Sequence, residues 1–227
     1  MPEVRDVKYS VARSNRRTVA IFIERDGTVT VKAPTRASDQ QLQRLVERKL
    51  PWIYRTLAQW GELNRAPIGK EYVSGETFYF LGQPCRLDIS SEGDEPLSLV
   101  GDRFLLQPEH RAKADEMLRA FYRRAGYARL PSLIADHSQS MGVKPGKLRV
   151  WELNHRWASC SAAGNLNFHW RAMAAPLDVL HYLVVHELAH LKERNHTAEF
   201  WNIVSTELPA WRESAEWLKV HGARMTL

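Results

Sequence analysis

HELAHLKERNH, residues 186–196, sets His186, Glu187, His190 and His196 in a spacing that helix geometry turns into a site. On an α-helix, residues four apart share a face and lie only ~6 Å apart along the axis. His186 and His190 can therefore offer imidazole nitrogens to one zinc ion at ~2.0–2.1 Å. Glu187 falls beside the metal rather than on it, placed to take a proton from a metal-activated water. Chance is a poor rival: 9 His and 17 Glu in 227 residues give roughly 0.03 expected matches to this spacing. Three protein ligands with a free carboxylate also describe an open catalytic position better than a closed structural one.

The flanks support a helix. Pro176 suits its first position and Asp178 its first turn, where negative charge meets the positive end of the dipole. Leu180, Val184, Leu188 and Leu191 form one apolar face, and Val179 and Leu183 continue the histidine face, so the helix is expected to be buried on most sides. Lys192 and Arg194 are expected in its last turn, with Asn195 as a left-handed terminator. Thr197 then caps the next helix, and His196 sits in the corner between the two, turned back toward the first pair.

Upstream, Arg156–Ser161 and Leu166–Trp170 read as strands joined through Gly164-Asn165, following a strand at Leu148–Leu153. Small residues at 158, 159 and 161 would let an extended peptide approach the backbone, so Trp157, Ala158 and Ser159 are the candidate substrate contacts. Asn154, Arg156 and Tyr182 are candidates for stabilising an oxyanion, and His155 and His169 for touching substrate or a ligand. His181 lies about 140° around the helix from His186 and reads as an ordinary polar residue.

Further out, residues 109–137 are helical in pattern, with Met117, Leu118, Phe121 and Tyr122 on one face. Strands are expected at Thr77–Leu81, Arg86–Ile89, Leu97–Val100 and Phe104–Gln107. Near the N-terminus, alternation through Val19, Ile21 and Ile23, a turn at Asp26-Gly27, and Val29 and Val31 predict a hairpin. Ser38 and Gln41 form a capping box opening a helix through Leu42, Leu45, Val46, Ile53 and Leu57, which Pro51 kinks or divides. The resulting fold class is α+β: a β-rich N-terminal lobe with one helix over residues 1–108, and a compact catalytic region carrying the HExxH helix over 109–227.

The same segments resemble the YgjP-like metallopeptidases, relatives of the SprT and WLM zinc proteases. The resemblance rests on HELAHLKERNH with Phe200-Trp201, on RWASCS at 156–161, GNLNFHWR at 164–171 and Ala175-Pro176, with weaker echoes toward the N-terminus. It implies one family domain over most of the chain, a zincin-like catalytic half, zinc at His186, His190 and His196, and Glu187 as general base. Where the family has glycine, this chain has Ala158. The expected activity is hydrolysis of peptide bonds in protein substrates by a zinc metalloendopeptidase. Two alternatives stand beside it: a SprT-like protease acting on DNA-bound or modifier-tagged proteins, and a zinc-stabilised interaction module without turnover.

Composition sets the surroundings. Hydrophobic residues make up 44% and charged residues 26%, which describes a globular chain. No apolar run nears the ~20 residues of a membrane span, and no signal sequence opens the chain, so no membrane partner and a cytoplasmic address are expected. Two cysteines, Cys85 and Cys160, with no CxxC pairing, fit a reducing compartment. A net charge of +6 and a pI near 9.4 permit a nucleic-acid partner, with Arg111, Arg119, Arg123, Arg124 and Arg129 as a possible contact stripe; a solvated helix face is the plainer account of that stripe.

Overall fold

The computed structural model describes residues 2–23, 27–63, 70–153, 156–222 and 225, with side chains omitted at 58–63. It is a mixed α+β chain that divides into two compact units, Met1–Pro67 and Ile68–Leu227.

In the first unit, β1 (Glu3–Val4), β2 (Val7–Ser14), β3 (Ala20–Ile23) and β4 (Val29–Pro34) form a sheet in the order β1-β2-β4-β3, on which α1 (Asp39–Leu63) packs. The predicted hairpin is present, with Ile21 opposite Val31 and Ile23 opposite Val29. Gly27 takes φ +84°, as its turn requires, while Asp26 lies outside the described residues. The capping box is reciprocal: Gln41 N–H donates to Ser38 Oγ at 3.3 Å, and Ser38 N–H to Gln41 Oε1 at 3.1 Å. Leu42, Val46, Leu50 and Ile53 bury one stripe of α1 against Val29, Val31 and Ala33. Pro51 neither ends nor divides the helix, which runs through it with the ring on the exposed side.

The second unit begins with β5 (Thr77–Phe80), β6 (Gln83–Ile89), β7 (Leu97–Val100) and β8 (Arg103–Leu106), a sheet in the order β5-β6-β8-β7. It continues with α2 (Ala114–Met141), then β9 (Leu148–Trp151), β10 (Ala158–Cys160) and β11 (Leu166–His169), a small sheet in the order β10-β11-β9. It ends with α3 (Leu177–Ala189), α4 (Ala198–Glu207) and α5 (Trp211–His221). The division near 67 departs from the one expected at 108. The β5–β8 sheet shares its core with the catalytic region: Phe78, Leu87, Phe104 and Leu106 belong to one buried cluster with Leu118, Tyr122, Phe168, Trp170 and Val184. The turn after β5 is tied down as well. Leu81 and Gly82 N–H donate to the carbonyls of Met173 and Ala174, and a Cβ on Gly82 (φ +79°) would lie 2.8 Å from Pro176 Cα. Glycine there lets the second sheet seat against the residue that opens α3.

No described helix is long and apolar enough to cross a membrane.

Candidate metal centre

Nine of the 13 residues of α3 are buried, matching the expectation from its two apolar faces. Pro176 stands at the N-cap and Asp178 in the first turn. The C-terminal end differs from the expectation. The helix stops at Ala189, where Leu191 and Lys192 N–H turn back to the carbonyls of Leu188 and Ala189, three residues behind. This tighter last turn leaves Lys192 and Arg194 beyond the helix, and Asn195 does not take a positive φ. It also fixes His190: its ring nitrogen Nδ1 lies 3.2 Å from the carbonyl of Glu193, which leaves Nε2 for other partners. Thr197 caps α4 as expected, its hydroxyl accepting from Phe200 N–H at 3.3 Å.

The corner brings the three histidines together. One nitrogen from each of His186, His190 and His196 lies within 4.8 Å of the others, an arrangement able to hold a metal ion. The Nε2 atoms of His186 and His196 are 3.0 Å apart. Behind them stands Phe200, fully buried, with its ring centroid 4.6–5.0 Å from all three imidazoles. Tyr182, one turn before His186, places its hydroxyl 3.5 Å from His186 Nδ1 and stacks its ring on Trp211. Trp211 in turn stacks on Trp201 at 4.3 Å.

Burial governs the charges. It lowers His186 to about 3, helped by His190 and His196, and lowers His196 in the same sense, so these rings are neutral and free to ligate at neutral pH. Glu187 is 4% exposed, and burial pushes its carboxyl up to about 8 against the opposing pull of the Cys160 backbone N–H and of Arg156. Its Oε2 has no hydrogen-bond partner among the described residues. Burial also pushes Tyr182 up to about 12, with Glu187 adding to the shift, so its hydroxyl stays protonated.

β10 runs alongside as the edge of its sheet. Trp157 C=O accepts from His169 N–H, and Ser161 N–H donates to Asn165 C=O, so these odd positions face β11. By antiparallel alternation, the backbone groups of Ala158 and Cys160 face the free edge. Cys160 gives its N–H to Glu187, leaving Ala158 as the open edge position. The Ala158 side chain is buried, and the Ser159 hydroxyl accepts from Asn167.

Other candidates have structural work instead. His169 accepts from Arg171 N–H and bonds Glu152 at 2.8 Å, and is therefore no ligand. His181 points away from the trio, to His137 at 2.8 Å. Asn154 and His155 lie outside the described residues. The arginine stripe is partly consumed: Arg111, just before α2, donates to the carbonyls of Tyr72 and Glu71, and on α2 Arg119 pairs with Asp115 and Glu152, and Arg124 with Glu95. Cys85 and Cys160 are both free.

Phe200, the Glu193 carbonyl and the Cys160 amide are participants that the sequence did not single out for the site. The two backbone groups carry no residue-type signal. Phe200 had one, since the third position after a capping threonine faces back toward the preceding turn.

A family model described as "YgjP-like, metallopeptidase domain" matches residues 17–221. No curated protein matches the chain. Among solved structures, the metallopeptidase zymogen of Pyrococcus abyssi abylysin is 23% identical, covering 39% of this chain and 90% of its own, at a TM-score of 0.37. The metallopeptidase zymogen of Methanocaldococcus jannaschii jannalysin is 19% identical, covering 39% and 91%, at a TM-score of 0.36.

Proposed function

The chain belongs to the YgjP-like metallopeptidase family, and on that premise we propose that it is a zinc-dependent endopeptidase with His186, His190 and His196 as ligands and Glu187 as general base. The observation that carries the proposal is the cluster of three imidazole nitrogens, with a buried Glu187 oxygen that has no partner among the described residues. Nitrogen donors in this number suit zinc and leave a coordination position open. Bound there, zinc would supply Lewis acidity, polarising a peptide carbonyl and acidifying water.

The chain's own residues do the rest. Glu187 takes a proton at its free carboxylate oxygen and hands it to the departing amine, and burial gives it the proton affinity such a shuttle needs. The Cys160 N–H orients the carboxylate. The Glu193 carbonyl and the Tyr182 hydroxyl hold the rings of His190 and His186. An extended peptide adds to β10 through the N–H and C=O of Ala158, which face the sheet edge and have no partner among the described residues, with Trp157 and Ser159 on either side. Backbone pairing of this kind tolerates many sequences, which fits a peptidase acting on protein substrates. The unpaired cysteines suit a cytoplasmic setting.

Glu187→Gln tests the reading, because the amide keeps the shape and cannot accept the proton. Zinc content should stay near one per chain while hydrolysis of an unfolded protein falls at least ~100-fold. Near-normal turnover would remove Glu187 from the chemistry. A wild type that binds zinc and cleaves nothing would mark an interaction module instead.

A further inference from the structure

The positive charge of this chain is not spread over it. Residues 1–67 hold 13 Lys and Arg against 7 Asp and Glu, and the remaining 160 residues hold 19 against 19. The entire net charge of +6 thus belongs to the N-terminal unit. Within the second unit anions match cations in number, and Arg103, Arg119, Arg124 and Lys219 pair directly with Asp88, Asp115, Glu95 and Glu216. On α1 the pattern is different. Arg44, Arg48 and Arg55 are exposed and have no ion-pair or hydrogen-bond partner among the described residues. At ~100° per residue they fall within about 40° of one another around the helix, about 6 and 10 Å apart along it.

Trp52 joins that face about 40° further round, at 43% exposure. Trp52 also walls a groove of about 250 Å³ with Val19, Ile21, Leu45 and Lys49, between α1 and β3, the edge strand of its sheet. The groove is smaller than the ~300–1,000 Å³ of pockets for drug-sized ligands, and suits one ring system. A row of unneutralised arginines beside an exposed indole and an apolar slot matches a ligand with regularly spaced negative charge and a flat apolar group at each repeat.

We propose that this face of the N-terminal unit binds single-stranded nucleic acid, with Arg44, Arg48 and Arg55 on the phosphates and a base against Trp52. Stacking on an aromatic ring is what distinguishes single strands from duplex, whose bases are already stacked. An acidic peptide would engage the arginines and make little use of the indole. An anionic membrane would favour an apolar face wider than one tryptophan beside a slot. The proposal does not depend on the peptidase reading, since no residue in it belongs to the metal centre.

The test is fluorescence anisotropy of a fluorescein-labelled 16-mer of deoxythymidine with the zinc-loaded full chain, between 50 and 200 mM salt. Binding should weaken as salt rises. Arg44→Gln, Arg48→Gln and Arg55→Gln together should lower the salt slope by about 2, at ~0.7 per single-strand phosphate, and weaken binding at least tenfold at 50 mM. Trp52→Leu should weaken binding about fivefold or more with the slope unchanged. Changing Arg119, Arg123 and Arg124 to glutamine should alter neither. All sites on α1 are exposed; should the triple variant nonetheless melt early by circular dichroism, Arg48→Glu alone replaces it and should still weaken binding. No anisotropy change at 50 mM salt, or unaltered binding by the α1 variants, overturns the proposal. So does competition by polyglutamate as strong as by unlabelled oligonucleotide, which assigns the face to acidic protein. Equal affinity for duplex with no effect of Trp52→Leu, or binding to anionic phosphatidylserine vesicles without binding to the oligonucleotide, overturns it too.

Discussion

Phe200 is the residue on which the geometry of the three histidines rests most heavily. It is fully buried, and its ring sits 4.6–5.0 Å from each imidazole. Phe200→Ala keeps only the Cβ, so the loss combines the transfer free energy of the ring with a cavity term, together about 3–5 kcal/mol. The cavity opens where α3 meets α4, a corner held on one side by the Thr197 cap and on the other by the Trp201–Trp211 stack, so it collapses poorly. For a domain of 150–250 residues each kcal/mol moves the midpoint by about 2–4 °C, which places the expected drop near 10 °C. Phe200→Leu retains most of the volume and should cost ~1 kcal/mol in chelator. Its effect should show in the metal instead. With a narrower, branched side chain behind them the three rings lose their common support, and zinc affinity should fall about tenfold. The assay is thermal unfolding in chelator, followed by tryptophan fluorescence, alongside zinc competition with a chromophoric chelator. A Phe200→Ala protein melting within 3 °C of wild type would refute the claim that this ring backs the histidines. A Phe200→Leu protein with unchanged zinc affinity would refute its positioning role.

His196→Ala should lose most bound zinc by elemental analysis while His181→Ala retains it, because His181 is engaged by His137 outside the cluster; equal zinc in both would remove His196 from the site. Ala158→Pro removes a backbone donor that faces the free edge of β10, so the sheet and zinc content should survive while hydrolysis of an unfolded protein falls at least tenfold. A folded, zinc-loaded proline variant that cleaves at the wild-type rate would show that β10 does not hold substrate. Glu207 is held below its ordinary 4.5, since the hydrogen bonds from His137 and Ser140 outweigh the burial that opposes ionisation. A lowered folded pKa gives stability that is present above about pH 4.5 and lost as the pH falls through the folded value. Melting temperature should therefore decline on that acid limb less steeply for Glu207→Gln than for wild type, and superimposable pH profiles would exclude this link between α2 and α4.

Legibility tracked the range of the interactions. The hairpin at β3–β4, the Ser38–Gln41 box and the Thr197 cap are decided within a few residues, and each is present as its local chemistry requires. The histidine cluster was legible for the same reason, because four-residue spacing on a helix and a tight corner suffice to bring the rings together. The unit boundary was not. Whether the β5–β8 sheet belongs with what precedes or follows it depends on Phe80 and Phe104 meeting Tyr122, and on Gly82 meeting Pro176 some ninety residues on. Neither contact leaves a periodic trace. The end of α3 was misjudged because Lys192, Arg194 and Asn195 have the composition of a helix end, whereas the backbone tightens at Ala189 and aims His190 at the Glu193 carbonyl. His169 shows the converse case: the sequence left its role open, and its two nitrogens are spent on Arg171 N–H and Glu152.

One physical cause accounts for the opposite shifts in the centre. Burial opposes any charge, so it strips the proton from His186 and presses one onto Glu187. In a site built around an internal ion pair the two would stabilise each other's charges, with the histidine raised and the carboxylate lowered. Neither has happened: no Asp or Glu side chain bonds to any of the three imidazoles among the described residues, and Glu187 keeps an oxygen without a partner. The arrangement therefore suits a cation rather than an anion. On the proposed reading a divalent ion needs unprotonated nitrogens, which burial favours at His186 and His196, and its field would draw Glu187 back toward the ionised form in which it can accept a proton. On that reading the coupling accounts for a carboxylate, expensive to bury, standing one residue from His186: its charge would be useful only with a metal there to favour it.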